Sequence, residues 1–209
     1  MTDDRGQAFA LEGVLGAMLL FTALLFSMQA VILTPTTAGT VDQDVKSQLR
    51  STAHDNLVVA GENGELEHLA RYWNNGSGRF AHAYDTAVGY GWEAPCSLGP
   101  SGDSPACEAF GERLNETLSG RGFTYNLVLD YRSKDLQQTN STRVVYRGVP
   151  SSNAVTATYT VILYDDMTLT SPAGADGPPL IGRGANEFYA SDIDPGPVYN
   201  VVEVRLVVW

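Results

Sequence analysis

The feature that most constrains this sequence is an uncharged apolar stretch near its N-terminus. Residues 13–33 read GVLGAMLLFTALLFSMQAVIL, which is 21 residues without a charged side chain. At about 1.5 Å per residue, a helix of this length spans roughly 30 Å, the thickness of the hydrocarbon core of a bilayer. A buried helix of a globular protein normally has one polar face, and Thr22, Ser27 and Gln29 do not form one. We therefore predict a transmembrane helix over residues 13–34, with the lipid bilayer as its partner.

The stretch differs from a cleavable secretory signal. It is longer than the apolar core of such a signal, and no small-residue cleavage site follows it. The sequence Thr34-Pro35-Thr36-Thr37 follows instead, and proline interrupts a helix. We predict a juxtamembrane break over residues 35–40 and a separate domain over residues 41–209.

Residues 1–12 form a leader and a motif at the membrane edge. A charged leader ends in Arg5-Gly6, and four uncharged residues and Leu11 separate that pair from Glu12 and the apolar helix. This order resembles the class III signal of type IV pilins, in which a prepilin peptidase cuts after the glycine and leaves the helix on the mature protein. The resemblance implies cleavage between Gly6 and Gln7, and it implies prepilin peptidase and other pilin-like subunits as partners.

Glu12 is the residue of this motif that bears on assembly. A carboxylate at the end of a membrane helix is costly unless it has a partner or reaches the interface. In type IV filaments, the equivalent glutamate is thought to neutralise the N-terminal amine of a neighbouring subunit, and the resemblance implies this role for Glu12. With cleavage after Gly6, Glu12 is the sixth mature residue, whereas the usual pilin glutamate is the fifth. The alternative is that Glu12 simply lies among the lipid headgroups.

The charge composition narrows the class of protein further. The chain has 24 acidic and 13 basic residues, of which only Lys46 and Lys134 are lysine. An acidic, lysine-poor surface resembles the proteins of salt-loving archaea, although an ordinary acidic protein is the alternative. The run RGQAFALEG, the apolar helix and TPTTAGTVDQ together resemble an uncharacterised group of haloarchaeal pilin-like membrane proteins. A net charge of −11 argues against nucleic acid as a partner.

Cysteines and glycosylation sequons predict where the domain resides. Cys96 and Cys107 flank a loop rich in Gly, Pro and Ser, and we predict a disulfide between them, with two unpaired thiols as the alternative. Asn-X-Ser/Thr sequons predict glycosylation at Asn75, Asn115 and Asn140. Both features favour a cytoplasmic N-terminus and an extracellular C-terminal domain.

The first part of this domain has helical periodicity. A capping box from Thr40 to Gln43 predicts the start of a helix that ends near Ala60. A second helix is predicted over residues 65–73. A third begins at Ser104-Pro105, and its inward stripe is predicted to be Cys107, Phe110, Leu114 and Leu118.

From residue 123 the apolar period changes to two. Strands rich in Val, Thr and Tyr are predicted over residues 123–131, 143–147, 155–164 and 198–208. Short connections favour an antiparallel meander, broken by a long Gly/Pro loop over residues 171–197. Helices followed by a mostly antiparallel β-sheet predict the α+β fold class.

The sequence has no motif that indicates catalysis or a cofactor. His54, His68 and His82 are too far apart to form a local metal motif, and the pair Asp165-Asp166 is more typical of a charged strand end than of a cation site. Five aromatic residues lie between the second and third helices, and they predict either core packing or a surface for a sugar or a partner: Tyr72, Trp73, Tyr84, Tyr90 and Trp92.

Three functions follow from these observations. The first is a non-catalytic pilin-like subunit of the cell surface or of a membrane complex, assembled through its N-terminal helix. The second is a single-pass anchored surface protein that does not polymerise. The third is an anchored ectodomain that binds a solute or catalyses a reaction. We expect the first, without catalytic residues, metal or cofactor.

Overall fold

The structure is a computed structural model that describes residues 3–31, 37–74, 76–81, 83, 105–170, 177–183, 187–193 and 195–209. Of residues 3–9, 28–31, 37–42 and 105–109 it describes the backbone alone. The chain divides into two compact units, Met1–Asp44 and Val45–Trp209. The second unit therefore begins slightly later along the chain than the predicted boundary.

The first unit contains a long helix, α1 (Asp3–Val31), which includes the predicted apolar segment as far as Val31, while residues 32–34 lie outside the described residues. The window Ala10–Ser27 has a mean hydropathy of 1.9, and none of it is buried. Because an α-helix satisfies its own backbone hydrogen bonds, it can cross a bilayer without polar partners. α1 is thus long and apolar enough to cross a membrane.

The next helix, α2 (Thr37–Glu62), begins earlier than predicted. The capping box placed the N-cap at Thr40 and a break up to that residue, whereas the structure has Thr40 inside the first turns of the helix. The prediction was wrong because Thr37, Ala38 and Gly39 can all adopt helical dihedral angles, so the sequence motif alone does not fix the boundary.

A short helix and a short hairpin follow α2. Gly64, with a φ of 75°, allows the chain to turn between α2 and α3 (Glu65–Arg71). The strands β1 (Trp73–Asn74) and β2 (Arg79–Phe80) form an antiparallel hairpin directly after α3. The predicted second helix therefore ends two residues early, because Trp73 is in a strand.

The third predicted helix is α4 (Pro105–Thr117), followed by a 3₁₀ turn over Ser119–Arg121. Phe110, Leu114 and Leu118 of its predicted inward stripe are all fully buried, which confirms that part of the stripe, whereas the Cys107 side chain lies outside the described residues. Gly122 ends the turn with a φ of 87° and leads the chain into the sheet.

The main sheet has four strands: β3 (Tyr125–Arg132), β4 (Thr139–Val145), β5 (Val155–Tyr164) and β6 (Val198–Val208). All pairs are antiparallel, but the order is β4-β3-β6-β5 and not the meander expected from the short connections. β6 lies between β3 and β5 because it is the most apolar strand, and a central position buries it on both edges.

The sheet and helices enclose one core, which confirms the α+β fold class. On the inner face, Leu129 and Val204 are paired in register, and Leu127 pairs with Leu206. Helices α2, α3 and α4 contribute the other side of the core. Its fully buried leucines from the helices are Leu57, Leu66, Leu69 and Leu114. At about 25 cal/mol per Å² of apolar surface, such burial is the main stabilisation of the second unit.

The long segment after β5 is more ordered than a Gly/Pro loop. Thr168 and Pro179 form a β-bridge, and Leu180 and Phe188 are fully buried. Arg71 Nη1 donates a hydrogen bond of 2.7 Å to the Thr168 carbonyl, and Tyr189 Oη donates one of 2.9 Å to the Ala70 carbonyl. Apolar periodicity could not predict these contacts, because each depends on one side chain and not on a repeating pattern.

Candidate functional site

The membrane-edge motif lies on α1. Gly6 and Gln7, the predicted processing residues, are within the first turns of this helix, and Glu12 follows further along it. The Glu12 side chain is exposed, as are its neighbours Leu11 (65% exposed) and Val14 (57%). Glu12 is the only charged residue from Ala10 to Ser27, so one carboxylate marks the start of an otherwise uncharged surface.

The large apolar side chains of α1 surround its axis. Met18, Leu19, Leu20 and Phe21 occupy four consecutive positions, which cover all sides of a helix, and each is 66–72% exposed. Thr22 Oγ1 donates a 2.5 Å hydrogen bond to the Met18 carbonyl one turn earlier. This hydroxyl therefore needs no partner outside the helix, which suits an apolar environment.

The predicted disulfide lies outside the described residues. Cys96 is not among them, and only the backbone of Cys107 is described, in the first turn of α4. The Cys96–Cys107 disulfide therefore stays a prediction.

Two of the three glycosylation sequons are described, and their surroundings differ. Asn75 lies outside the described residues, whereas Asn115 on α4 and Asn140 on β4 both have exposed side chains. In the sequon of Asn115, Thr117 Oγ1 donates a 2.6 Å hydrogen bond to the Arg113 carbonyl and accepts one of 3.0 Å from Asn56 Nδ2. The hydroxyl of that sequon is thus engaged in the fold.

An ion pair connects α3 to α4 beneath the surface. Arg113 donates a hydrogen bond to the carboxylate of Glu65, whose side chain is only 5% exposed, while that of Arg113 is 23% exposed. A buried carboxylate requires such a partner because desolvation of an unpaired charge is costly. The two residues are 48 positions apart, and nothing in the local sequence pattern indicates that they pair.

The outer face of the sheet carries a second charged group of contacts. Arg205 Nε and Nη2 donate hydrogen bonds of 2.7 and 3.1 Å to the two carboxylate oxygens of Asp130, and Ser141 Oγ donates one of 2.6 Å. Burial alone would raise the pKa of Asp130, but the hydrogen bonds from Arg205 and Ser141 outweigh it and lower that pKa. The strand alternation places all three residues on one face, so a correct register would have predicted this cluster.

Two hydrogen bonds of the Asn126 side chain hold the turn after β4. Asn126 Nδ2 donates a 2.8 Å hydrogen bond to the Gly148 carbonyl, and its Oδ1 accepts one of 2.8 Å from the Arg147 backbone. The Arg147 guanidinium lies 4.1 Å from the centroid of the Tyr125 ring and donates a hydrogen bond of 2.7 Å to Ser119 Oγ. Sequence analysis missed these residues, and Gly148, with a φ of 139°, is the one local signal of a special turn.

The candidate metal residues do not converge in the described part of the chain. His54 is exposed, His68 is half-buried, and His82 lies outside the described residues. Burial and, secondarily, the charge of Arg71 lower the pKa of His68. No group of three or more His, Cys, Asp or Glu side chains suited to a metal occurs among the described residues, and these include Asp165 and Asp166.

The aromatic residues that are described favour core packing over a ligand surface. Tyr72 is 2% exposed, and Trp73 packs edge-to-face against Phe80 with their ring centroids 5.2 Å apart. Tyr189, from the segment after β5, joins them at 5.5 Å from Trp73, and burial raises its pKa well above the usual value. Tyr84, Tyr90 and Trp92 lie outside the described residues.

These features define the chain as an α+β protein with an N-terminal helix that is long and apolar enough to cross a membrane. The chain belongs to DUF7288, a family of unknown function, whose model matches residues 5–208. The matched range covers most of α1 and all four strands of the main sheet. Comparison with curated proteins and with solved structures gives no match.

Proposed function

We propose that this protein is a non-catalytic, pilin-like subunit that is anchored in a membrane and assembled through α1. The observation that carries the proposal is the surface of α1, which is apolar on every side from Ala10 to Ser27 apart from Glu12. In water such a surface is unfavourable by roughly 25 cal/mol per Å², and a bilayer or neighbouring apolar helices would cover it. The Arg5-Gly6 leader directly precedes it.

In this proposal Glu12 sets the register between neighbouring helices. Cleavage after Gly6 creates a positively charged amine at Gln7, five residues before Glu12. A carboxylate of one subunit near the amine of the next is a favourable pair in a medium where either charge alone is costly. The same cleavage makes Glu12 the sixth mature residue, so the helices of this protein would pack with a different offset from that of ordinary pilins.

The proposed orientation places the N-terminus in the cytoplasm and the second unit outside the cell. The apolar segment divides a short leader from a domain that carries three sequons and two cysteines, and both features are typical of the extracellular side. Protease treatment of intact cells tests the orientation, since it should degrade the second unit and, in a Gly6→Val variant that keeps its leader, leave an N-terminal epitope tag protected.

The decisive experiment is mass spectrometry of the N-terminus of the native protein. We expect a mature chain that begins at Gln7, and we expect Gly6→Val to leave the leader uncut because a bulky residue blocks the peptidase. Gly13→Val is the matched control, since no atom lies within 4 Å of a Cβ at Gly13, and it should be processed normally. An intact N-terminus in the wild-type protein would overturn the processing step.

The alternative of an anchored protein that does not polymerise makes a different prediction for Glu12. If α1 only anchors the chain, Glu12→Gln should change neither processing nor the fraction of protein in sheared surface filaments. If the helices assemble, Glu12→Gln should lower the filament fraction while Leu11→Met, the neighbouring exposed position, leaves it unchanged.

A further inference from the structure

The two edges of the main sheet are built differently. At one edge, β4 has seven residues, includes the charged Arg143, and has a register shift in its pairing with β3 between Leu127 and Val128. Short length, charge and irregular pairing are devices by which proteins protect an edge strand from other chains. The other edge has none of these protections over most of its length.

That other edge is β5, which has ten residues of sequence VTATYTVILY. It contains no charged residue, no proline and no glycine, and it pairs with β6 in unbroken register from Val155 to Leu163. Its side chains alternate strictly between the core and the outer face, apart from Tyr159, which is half-buried. A long, regular and uncharged edge strand is a template for pairing with another strand.

The backbone of β5 is available for such pairing. In an antiparallel ladder, every second residue directs its N–H and C=O groups away from its existing partner. Between residues 155 and 163, the described part of the chain forms no hydrogen bond at the edge that faces away from β6. The core contacts lie elsewhere, since α2 approaches the inner face of β5 where Gly61 meets the ring of Tyr159.

We propose that a second copy of this chain pairs with β5 through its own β5, in antiparallel orientation, to form one continuous eight-stranded sheet. A two-fold axis brings each strand against an identical one, which is unfavourable for a charged strand but not for this one. With Thr160 opposite itself, Thr158 lies opposite Ile162 on the outer face, and Tyr159 lies opposite Val161 on the inner face. Exposed residues thus meet exposed residues, and core residues meet core residues.

The composition of β5 favours this occupant over an unrelated strand. Thr–Thr pairs and pairs of aromatic with β-branched residues stabilise neighbouring strands by about 0.2–1 kcal/mol each. The symmetric register provides both kinds of pair. Thr160 comes opposite itself, and Thr156 comes opposite Tyr164, whose side chain is 39% exposed. The inference concerns the second unit and does not rest on cleavage after Gly6 or on the packing of α1.

Cysteine cross-linking of the full-length protein in detergent micelles tests the proposal. Thr160→Cys places a thiol on the two-fold axis, and Thr139→Cys is the matched control because Thr139 is an exposed threonine on β4. Under mild oxidation, we expect covalent dimers from Thr160→Cys at a yield at least about tenfold above the control, because pairing raises the effective concentration of the thiols. Equal yields from the two edges would overturn the proposal.

A charge variant separates edge pairing from association through α1. Thr160→Lys lies in register with Glu203 of β6, so the fold gains an attractive pair, but the two-fold axis brings two lysines together. We expect this variant to be monomeric by mass measurement in micelles at concentrations where the wild-type protein and Thr139→Lys are dimers. A wild-type monomer, or a dimer that survives Thr160→Lys, would overturn the proposal and leave leader processing untouched.

Discussion

The helix α1 and the strand β6 are both rich in apolar residues, yet their surroundings are opposite. Between Ala10 and Ser27 every side chain of α1 is exposed, whereas Val202, Val204 and Leu206 of β6 are completely buried. β6 has a strand on each side and helices over one face, and it places polar residues such as Glu203 on the other.

The difference shows that the spacing of apolar residues along a segment, and not their number, determines what must cover that segment. β6 alternates, so the chain itself provides the apolar partner for its inner face. α1 has no polar face, so no single layer of protein would cover it, and its partner must surround it. The same apolar composition thus stabilises a domain in one region and, in our proposal, is covered by a bilayer or by neighbouring helices in the other.

The comparison is tested most strongly at a buried position of β6. Leu206→Ala removes a fully buried side chain that pairs in register with Leu127 and Ala157, and we expect a loss of about 4 kcal/mol in the free energy of unfolding. Urea unfolding followed by tryptophan fluorescence measures it. Val149→Ala, at a position 81% exposed, should cost less than about 0.5 kcal/mol. Similar losses from both would contradict the buried position of β6.

The corresponding change in α1 is Leu20→Arg, in the middle of the apolar window. An arginine at the centre of a membrane helix costs about 3 kcal/mol on insertion scales, so we expect more of the protein to be released by alkaline extraction of membranes. Leu136→Arg, at an exposed position in the second unit, should leave membrane association unchanged. If α1 were covered by protein instead of lipid, Leu20→Arg would lower the stability of the fold and leave the retention of the protein in membranes unchanged.

A smaller effect is expected in the helical layer that packs against the sheet. Glu65→Gln leaves Arg113 without its carboxylate, and because Arg113 is partly exposed we expect a loss of about 2 kcal/mol, below the range for a fully buried pair. Urea unfolding of the variant provides the measurement. Glu112→Gln, an exposed glutamate on α4, is the control and should be nearly neutral.

The smallest effect is a pH dependence at His68. Burial and the nearby Arg71 lower its pKa below 6.5, so the unfolded chain binds the proton more readily than the folded one. Stability from this residue is therefore present above pH 6.5 and is lost as the pH falls through the lowered value. His68→Gln should flatten that part of the stability profile, and His54→Gln, at an exposed position, should not. Asp130, whose pKa is also lowered, affects stability only below its usual value of 3.8.

Sequence analysis predicted the elements whose apolar pattern is strong. The limits of β5 and β6 match the predicted ranges, and Phe110, Leu114 and Leu118 of the predicted stripe are buried. β4 begins at Thr139 instead of residue 143, because residues at an exposed edge carry little apolar alternation. The strand order could not be predicted, since the position of β6 depends on which strands gain most from burial and not on connection length.

The candidate sites were predictable only where they are local. The order of Gly6, Glu12 and the apolar helix is visible in the sequence, and the roles of Gly6 and Glu12 stay predictions. The pair Glu65–Arg113 and the contact of Asp130 with Arg205 join residues far apart, so only the fold brings them together. Cys96 and Cys107 remain a prediction from spacing.

The hydrogen bonds of Thr117 restrict when its sequon could be glycosylated. A transferase that modifies Asn115 must reach the hydroxyl of Thr117, and in the folded domain that hydroxyl is held between Arg113 and Asn56. The side chain of Asn140 lies exposed on β4 and is accessible in the folded domain. A sugar on Asn115 would therefore mark chains that met the transferase before α4 had packed, and the ratio of occupancy at the two asparagines would measure how fast this domain folds relative to the transfer of the sugar.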